Sequence, residues 1–168
     1  MQDFSKFLWG SAGGANGGPG TLNCAEMPEA LDDSEYRRLL QFRTALRRFL
    51  HWSEQQAEAA GLTAGQHQLL LAVRGHDDAR GPTIGELAGY LLLRHHSAVG
   101  LVDRTEKAGL VERLEDEKDR RVVRLRLTPR GEETLRNLSA AHLEELERLA
   151  PHMKVLLTFG DGDRRSGV

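Results

Sequence analysis

Hydrogen-bond donors are concentrated around one segment whose apolar residues recur at helical spacing. The apolar stripe, which predicts a helix packed against a core on that side, consists of Ala98, Leu101, Val102 and Thr105. The opposite side and the N-terminus carry donors and small residues: Arg94, His95, His96, Ser97, Val99, Gly100 and Arg104. A helix with a packed back and a donor-bearing front has the shape needed to lie in a DNA major groove. The missing side chain of Gly100 would let such a helix approach DNA closely.

A second group of charged residues lies in a loop between two predicted strands. Alternation of polarity predicts a strand that begins at Leu110, on the same face as Leu114, and a second strand over 123–127. The loop between them is too polar to be buried, and arginines on a projecting ribbon suit a narrow, electronegative minor groove. Its candidate DNA contacts are Lys118, Asp119, Arg120 and Arg121. We expect Asp119 to orient Arg121 through a charge-assisted hydrogen bond.

The predicted helices begin at residues that are typical of helix starts. Capping boxes, in which two residues three apart bond each other's backbone N–H groups, are predicted for Asp32 with Glu35, Thr63 with Gln66, and Thr83 with Glu86. Thr128 followed by Pro129 starts the last helix. Thr83 opens the first helix of the pair and is also a candidate DNA contact. The expected fold class is mainly α with a small β-wing (α+β), a winged helix-turn-helix between long terminal helices.

These motifs resemble those of the MarR-type winged-helix transcription regulators in order and spacing. They occupy residues 83–88, 101–104, 106–111, 119–121 and 127–131, and the flanking helices extend the resemblance to about residues 30–157. Thr105 departs from the family pattern, which usually has a leucine there, and we expect slightly weaker packing at that point. The resemblance implies double-stranded operator DNA as a partner and a homodimer held by the terminal helices.

The chain divides into five segments by composition. We expect a flexible, glycine-rich leader (1–30), an N-terminal dimerisation helix (31–62), a winged helix-turn-helix lobe (63–128), C-terminal dimerisation helices (129–160) and a disordered tail (161–168). Apolar stripes between Leu39 and Phe49 and between Leu135 and Leu149 leave faces that the small lobe cannot bury, which favours association of two chains. Pro151 is expected to break or kink the last long helix.

Composition excludes several classes of protein. The 168 residues have a formal charge of −2, so the net charge gives no sign of a nucleic-acid partner, although residues 94–130 carry ten Lys and Arg against seven Asp and Glu. Cys24 is the single cysteine, which excludes an intrachain disulfide and favours a reducing compartment. No run approaches the roughly 18 apolar residues of a membrane span. We therefore expect a cytoplasmic protein with no membrane partner.

Two residue types leave alternatives open. Seven histidines suggest a metal site, but no pair has the spacing of a zinc site, so we expect no metal and no cofactor. Cys24 could act as a redox sensor, yet it lacks an activating neighbour, and we expect Cys24→Ser to leave the response to peroxide unchanged. His51, Trp52 and His67 are either satisfied core residues or, as the resemblance implies, the wall of a ligand cleft. Such a wall would suit a small aromatic or phenolic effector.

The sequence therefore predicts a transcription regulator that binds a pseudo-palindromic operator as a homodimer, as a repressor released by a small ligand. The alternative is a winged-helix module that assembles with proteins and has no DNA binding. We do not expect an enzyme or catalytic residues, because the sequence contains no phosphate-binding glycine loop, no nucleophile elbow and no metal motif.

Overall fold

A computed structural model describes residues 31–116, 119 and 121–157 of the chain. These residues form α1 (Asp33–Ala59), α2 (Ala64–Arg74), α3 (Ile84–Tyr90), α4 (His95–Lys107), β1 (Val111–Glu115), β2 (Val123–Leu127) and α5 (Pro129–Leu157). The predicted leader with Cys24, the loop residues Lys118 and Arg120, and the predicted tail lie outside the described residues. The described residues as far as Tyr36 and those from Arg37 onward belong to two units, divided within α1. The mainly helical fold with a small sheet confirms the expected fold class.

All three predicted capping boxes are present. Asp32 and Glu35 bond each other's backbone N–H groups at 2.9 and 3.0 Å at the start of α1. The Thr63 and Thr83 side chains accept from the N–H groups three residues on, and the reciprocal bonds are also made. Because each box satisfies two N–H groups that a helix leaves without internal partners, these residues set where the helices begin.

The last helix starts as predicted but does not end as predicted. The Thr128 hydroxyl accepts from the Gly131 N–H at 3.0 Å, and Pro129 is the first helical residue. The helix then continues through Pro151 to Leu157, so of the two expected outcomes, a break or a kink, the break does not occur. A proline removes one backbone donor from a helix, and the hydrogen bonds on either side can still form.

The two strands are antiparallel, with Val111 opposite Leu127 and Glu115 opposite Val123. The predicted start at Leu110 is one residue early, because the Leu110 N–H bonds to the Thr105 carbonyl at 3.2 Å and so completes the end of α4. Gly109 makes this possible with a φ of 70°, as in a Schellman ending. Val111, rather than Leu110, therefore begins the strand.

One core underlies the lobe. Its buried residues come from the end of α1, from α2, α3, α4 and both strands, and from the first turns of α5, and they include Ala57, Leu69, Leu87, Val102 and Leu125. Helix α4 packs with the predicted stripe of Ala98, Leu101, Val102 and Thr105, all of which are buried. The Thr105 hydroxyl donates to the Leu101 carbonyl at 2.8 Å, so this buried polar group is satisfied within its own helix.

Candidate nucleic-acid interface

Helix α4 separates its buried stripe from a polar, exposed surface. Arg94, His95, His96 and Arg104 are exposed, whereas Ser97, Val99 and Gly100 are half-buried. Arg94 occupies the cap position in an extended conformation, and its side chain makes no capping hydrogen bond. The predicted donor-bearing surface is therefore the surface that α4 turns away from the core.

An arginine of β1 forms ion pairs with two carboxylates of α4. Arg113 bonds to Asp103 at 2.5 Å and also to Glu106. Asp103 is half-buried on α4 beside Arg104, and its carboxylate is paired with this arginine. Because paired carboxylates repel an approaching phosphate less than unpaired ones, this contact makes the surface of α4 more suitable for an anionic partner.

The turn between α3 and α4 contains a leucine in an unusual conformation. Leu92 has a φ of 53° and is 79% exposed. The Leu93 N–H bonds to the Ala88 carbonyl at 2.9 Å, so Leu92 takes the position after a helix that glycine usually takes. Sequence reasoning missed this residue, since a leucine gives no signal for a left-handed backbone.

The wing turn is held by Asp119, in a different way from the one expected. The Asp119 carboxylate accepts from the backbone N–H of Arg121 at 3.0 Å, not from its guanidinium group. The Val122 N–H bonds to the Asp119 carbonyl at 2.9 Å, and the Asp116 N–H bonds to the Val122 carbonyl at 3.0 Å. Asp119 therefore fixes the backbone of the turn. The position of the exposed Arg121 side chain follows from that backbone.

The base of the wing contains a buried carboxylate that sequence reasoning missed. The Asp116 side chain is 4% exposed and bonds to the guanidinium groups of Arg80, at 3.0 Å, and Arg124. The pKa of Asp78 at the edge of this network is lowered, chiefly by hydrogen bonds from Arg80. Burial alone would raise the pKa of Glu86, but the hydrogen bonds from Thr83 outweigh it and the pKa is lowered. These shifts keep the carboxylates around the start of α3 ionised.

Thr83, a predicted DNA contact, is the N-terminal cap of α3. Its hydroxyl donates to Glu86 at 2.9 Å and accepts from the Glu86 N–H at 3.2 Å. A contact with phosphate would therefore compete with the capping box. The structure gives Thr83 a clear role in starting α3.

Two of the three predicted ligand-cleft residues, Trp52 and His67, lie around His142. This histidine belongs to α5, within the predicted stripe between Leu135 and Leu149. The ring of His142 lies 4.9 Å from that of Trp52 and 4.6 Å from that of buried His67. Its Nδ1 lies 2.7 Å from the Leu138 carbonyl and its Nε2 lies 2.7 Å from the Ser53 hydroxyl. Because a carbonyl only accepts, Nδ1 carries a proton, and Nε2 shares a hydrogen bond with the Ser53 hydroxyl.

The third residue of that prediction lies apart from this cluster. His51 is exposed, and its Nε2 lies 3.3 Å from the side-chain nitrogen of Gln55 in the next turn of α1. Burial, and then the nearby imidazole of His142, lower the pKa of His67. The His67 ring is therefore uncharged near neutral pH.

The described residues contain neither a cluster suited to a metal ion nor a helix suited to a membrane. No group of three or more His, Cys, Asp or Glu side chains in these ranges is arranged to hold a metal ion. None of the described helices has the length and apolar character needed to cross a membrane.

Comparisons with known proteins agree with this fold and these motifs. The MarR family model matches residues 60–122, which include α2, α3, α4, β1 and the start of the wing. The chain is 44% identical over 64 residues to the uncharacterized HTH-type transcriptional regulator YsmB of Bacillus subtilis, covering 38% of this chain and 44% of that protein. It is 32% identical over 111 residues to the transcriptional activatory protein BadR of Rhodopseudomonas palustris, covering 66% of this chain and 62% of BadR.

A solved structure supports the same assignment. The structure of a MarR family protein from Bacillus stearothermophilus is 27% identical and has a TM-score of 0.58, with 79% of this chain and 86% of that chain covered. The chain spans less than two thirds of the length of either regulator named above. From the winged helix-turn-helix, its sequence motifs and these similarities, the segment over residues 60–122 is identified as a match to the MarR family of transcription regulators.

Proposed function

We propose that this chain binds a pseudo-palindromic DNA operator as a homodimer and regulates transcription, as a repressor that a small aromatic or phenolic ligand releases. The observation that carries the proposal is the division of α4 into a buried stripe and an exposed surface bearing Arg94, His95, His96 and Arg104. YsmB is named as a transcriptional regulator and BadR as a transcriptional activatory protein, which supports a role other than catalysis. BadR is named as an activatory protein, so the sign of the regulation needs its own test.

Helix α4 is the element proposed to read the major groove. Its exposed N-terminal residues offer guanidinium and imidazole donors, which suit the acceptor edge of guanine and the phosphates. Gly100 lies half-buried on the same helix, and a Cβ atom there would meet only the end of the Arg104 side chain, at 3.5 Å. A side chain at position 100 would therefore clash with nothing in this chain. The glycine is consistent with a close approach of DNA to this face of the helix.

The wing is the element proposed to enter the minor groove. Arg121 is exposed at the turn, and its backbone is fixed by the Asp119 carboxylate at 3.0 Å. An arginine on a defined turn loses less entropy on entering a narrow groove than one on a mobile loop. Lys118 and Arg120 remain predicted contacts of the same loop.

Homodimerisation through the terminal helices is supported by the apolar surface that these helices leave uncovered. Helix α1 has 27 residues, of which the buried ones are Ser53 and Ala57. Exposed leucines on the two helices are Leu39, Leu40, Leu46, Leu50, Leu143 and Leu146. A second copy of the chain would cover such a surface, and a two-fold dimer would present two copies of α4 to a palindromic site.

The proposed effector site is the aromatic cluster of Phe49, Trp52, His67 and His142. Phe49 stacks on Trp52 with ring centroids 6.0 Å apart, and His142 contacts both rings. Aromatic walls with imidazole nitrogens suit a planar ligand that has a hydroxyl or carboxylate group. His51 is left out of this site because it bonds to Gln55 on the surface of α1.

The experiment is selection of bound duplexes from a random DNA library, followed by affinity measurements on the best duplex and on a scrambled one. We expect an enriched sequence with two-fold symmetry and an affinity that falls as salt rises. His96→Ala should change the base preference at a cost of about 1–3 kcal/mol on the best duplex. Arg136→Ala, which removes an exposed charge of α5, is the control and should leave the preference unchanged.

Two results would contradict the proposal. Binding without an enriched sequence would reduce the function to non-specific association with DNA. Failure to retain any duplex at low salt would favour the alternative module that assembles with proteins. The proposed location of this regulator is the cytoplasm.

A further inference from the structure

The segment that precedes α3 runs against the outer edge of β2. The Leu125 N–H bonds to the Pro82 carbonyl at 2.9 Å, and Thr83 forms an isolated antiparallel bridge with Arg124. Gly81 has a φ of 84°, and a Cβ atom there would lie 2.1 Å from the Leu125 carbonyl oxygen. The approach is therefore so close that only glycine fits at position 81. Thr83, two residues after Gly81, caps α3.

Arg124 connects the same segment to the wing through its side chain. Its Nη1 donates to the Gly81 carbonyl at 2.6 Å and lies 3.5 Å from Asp78, while its Nε donates to Asp116. The Arg124 side chain is only 12% exposed. A single guanidinium group thus bonds to the segment before α3 and to the base of the wing.

The contacts continue from the base of the wing to its turn. The second oxygen of the Asp116 carboxylate accepts from the Asp119 N–H at 3.2 Å. Asp119 in turn accepts from the Arg121 N–H at 3.0 Å. An unbroken series of hydrogen bonds therefore runs from the start of α3 through Arg124 to Arg121, the exposed arginine of the turn.

We propose that Arg124 and Asp116 are positioning residues that fix the direction of the wing relative to the helix-turn-helix. The proposal rests on the proposed DNA binding, and it concerns how Arg121 comes to lie where a groove can receive it. An isolated two-stranded ribbon is marginally stable and can bend at its base. The charge-assisted hydrogen bonds of Arg124 have preferred directions, so they resist such bending.

The chain offers a matched control in the same strand. Arg126 lies two residues beyond Arg124, carries the same charge, and is 64% exposed. It bonds to Glu112 across the strand pair at 2.9 Å. Arg124→Gln and Arg126→Gln therefore remove equal charge from the same strand, and they differ in whether the link to the segment before α3 is lost.

The first test is a double-mutant cycle with Arg121→Ala, measured as affinity for the selected duplex across a salt series. In the wild type and in Arg126→Gln, we expect Arg121→Ala to weaken binding about tenfold and to lower the slope of log affinity against log salt by about one. In Arg124→Gln the same substitution should weaken binding less than about threefold, because Arg121 is already misplaced. A mere loss of stability would lower the folded fraction and leave the Arg121 effect intact.

The second test needs no DNA. Hydrogen exchange of the Val122 and Leu125 amides reports on the wing turn and on its attachment to Pro82. We expect Arg124→Gln to accelerate both about tenfold or more, with the core amides of Leu69 and Leu70 unchanged. Arg126→Gln should leave all four as in the wild type.

A milder variant keeps the proposal testable if Arg124→Gln does not fold. Arg80→Gln removes a contact with Asp116 made by a side chain that is 40% exposed, and it should shift exchange and the Arg121 effect in the same direction by a smaller factor. Equal behaviour of Arg124→Gln and Arg126→Gln in both tests would overturn the proposal. A wild type that binds no duplex would refute the proposed function, whereas the exchange rates would still show whether the network fixes the wing.

Discussion

Replacing Gly100 by alanine should strengthen the fold and weaken DNA binding. Gly100 lies in the second turn of α4, inside the helix His95–Lys107. A Cβ atom at this position would have Arg104 Nη1 as its nearest neighbour, at 3.5 Å, which is ordinary van der Waals contact with a flexible side chain. The substitution therefore meets no obstacle within this chain.

The two effects can be estimated separately. Alanine is favoured over glycine in a helix interior by about 1 kcal/mol, so the free energy of unfolding should rise by up to that amount. If α4 lies in the major groove with Gly100 facing DNA, the added methyl group must push the helix away from its closest approach. A loss of about tenfold in affinity, equivalent to about 1.4 kcal/mol, is the smallest effect we expect.

The measurements are urea unfolding at one fixed protein concentration and affinity for the selected duplex. Fixed concentration matters because the proposed dimerisation would add to the apparent stability. Gly89→Ala in α3, where a Cβ atom would meet nothing within 4 Å, is the control that should gain stability without losing affinity. Unchanged affinity in Gly100→Ala would refute the close approach of this helix face to DNA. A lower stability would mean that a partner surface already occupies the space beside Gly100.

Three further predictions concern the dimer, the wing turn and the histidine cluster. Leu40→Glu with Leu143→Glu should reduce the mass measured by light scattering at micromolar concentration to that of one chain; an unchanged mass would contradict the proposed interface. Asp119→Ala should reproduce part of the affinity loss of Arg121→Ala, because the backbone N–H of Arg121 loses its acceptor; a salt series with wild-type behaviour would refute this role. The pKa of His67 is lowered from 6.5, so the unfolded chain binds more protons than the fold below that pH, and stability should fall as pH drops from about 6.5 through the folded pKa. Urea midpoints between pH 7.5 and 5 should show this slope in the wild type and a smaller one in His67→Asn.

The elements that follow local rules were predictable from the sequence. The capping boxes at Thr63 and Thr83 depend on residues three apart, and the stripe of α4 depends on spacings of three and four. Such patterns depend only on residues that are close in sequence, so a single sequence is enough to find them. The winged helix-turn-helix followed from the order of these elements.

The contacts that depend on tertiary structure were not predictable in this way. Arg124 and Arg126 occupy equivalent positions in an alternating strand, yet one is 12% exposed and the other 64%. The difference arises from the segment at Gly81, which is more than 40 residues distant in sequence and covers one side of β2. His142 likewise belongs to an apolar stripe by spacing, and only the packing of α1 and α2 against α5 makes it the centre of a cluster.

The buried charges at the base of the wing are better explained by geometry than by stability. Removing Asp116 and its arginine partners from water costs energy that their attraction only partly returns, and apolar residues of similar size are often as stable in such positions. Apolar contacts, however, have no preferred direction, whereas a carboxylate bonded by two guanidinium groups and an amide has few permitted arrangements. A wing on an apolar base could therefore be equally stable and still turn about that base. If Arg121 enters a groove at a fixed distance from α4, as proposed, its position depends on directional contacts at the base of the wing. The hydrogen bonds of Arg124 and Asp116 would be those contacts.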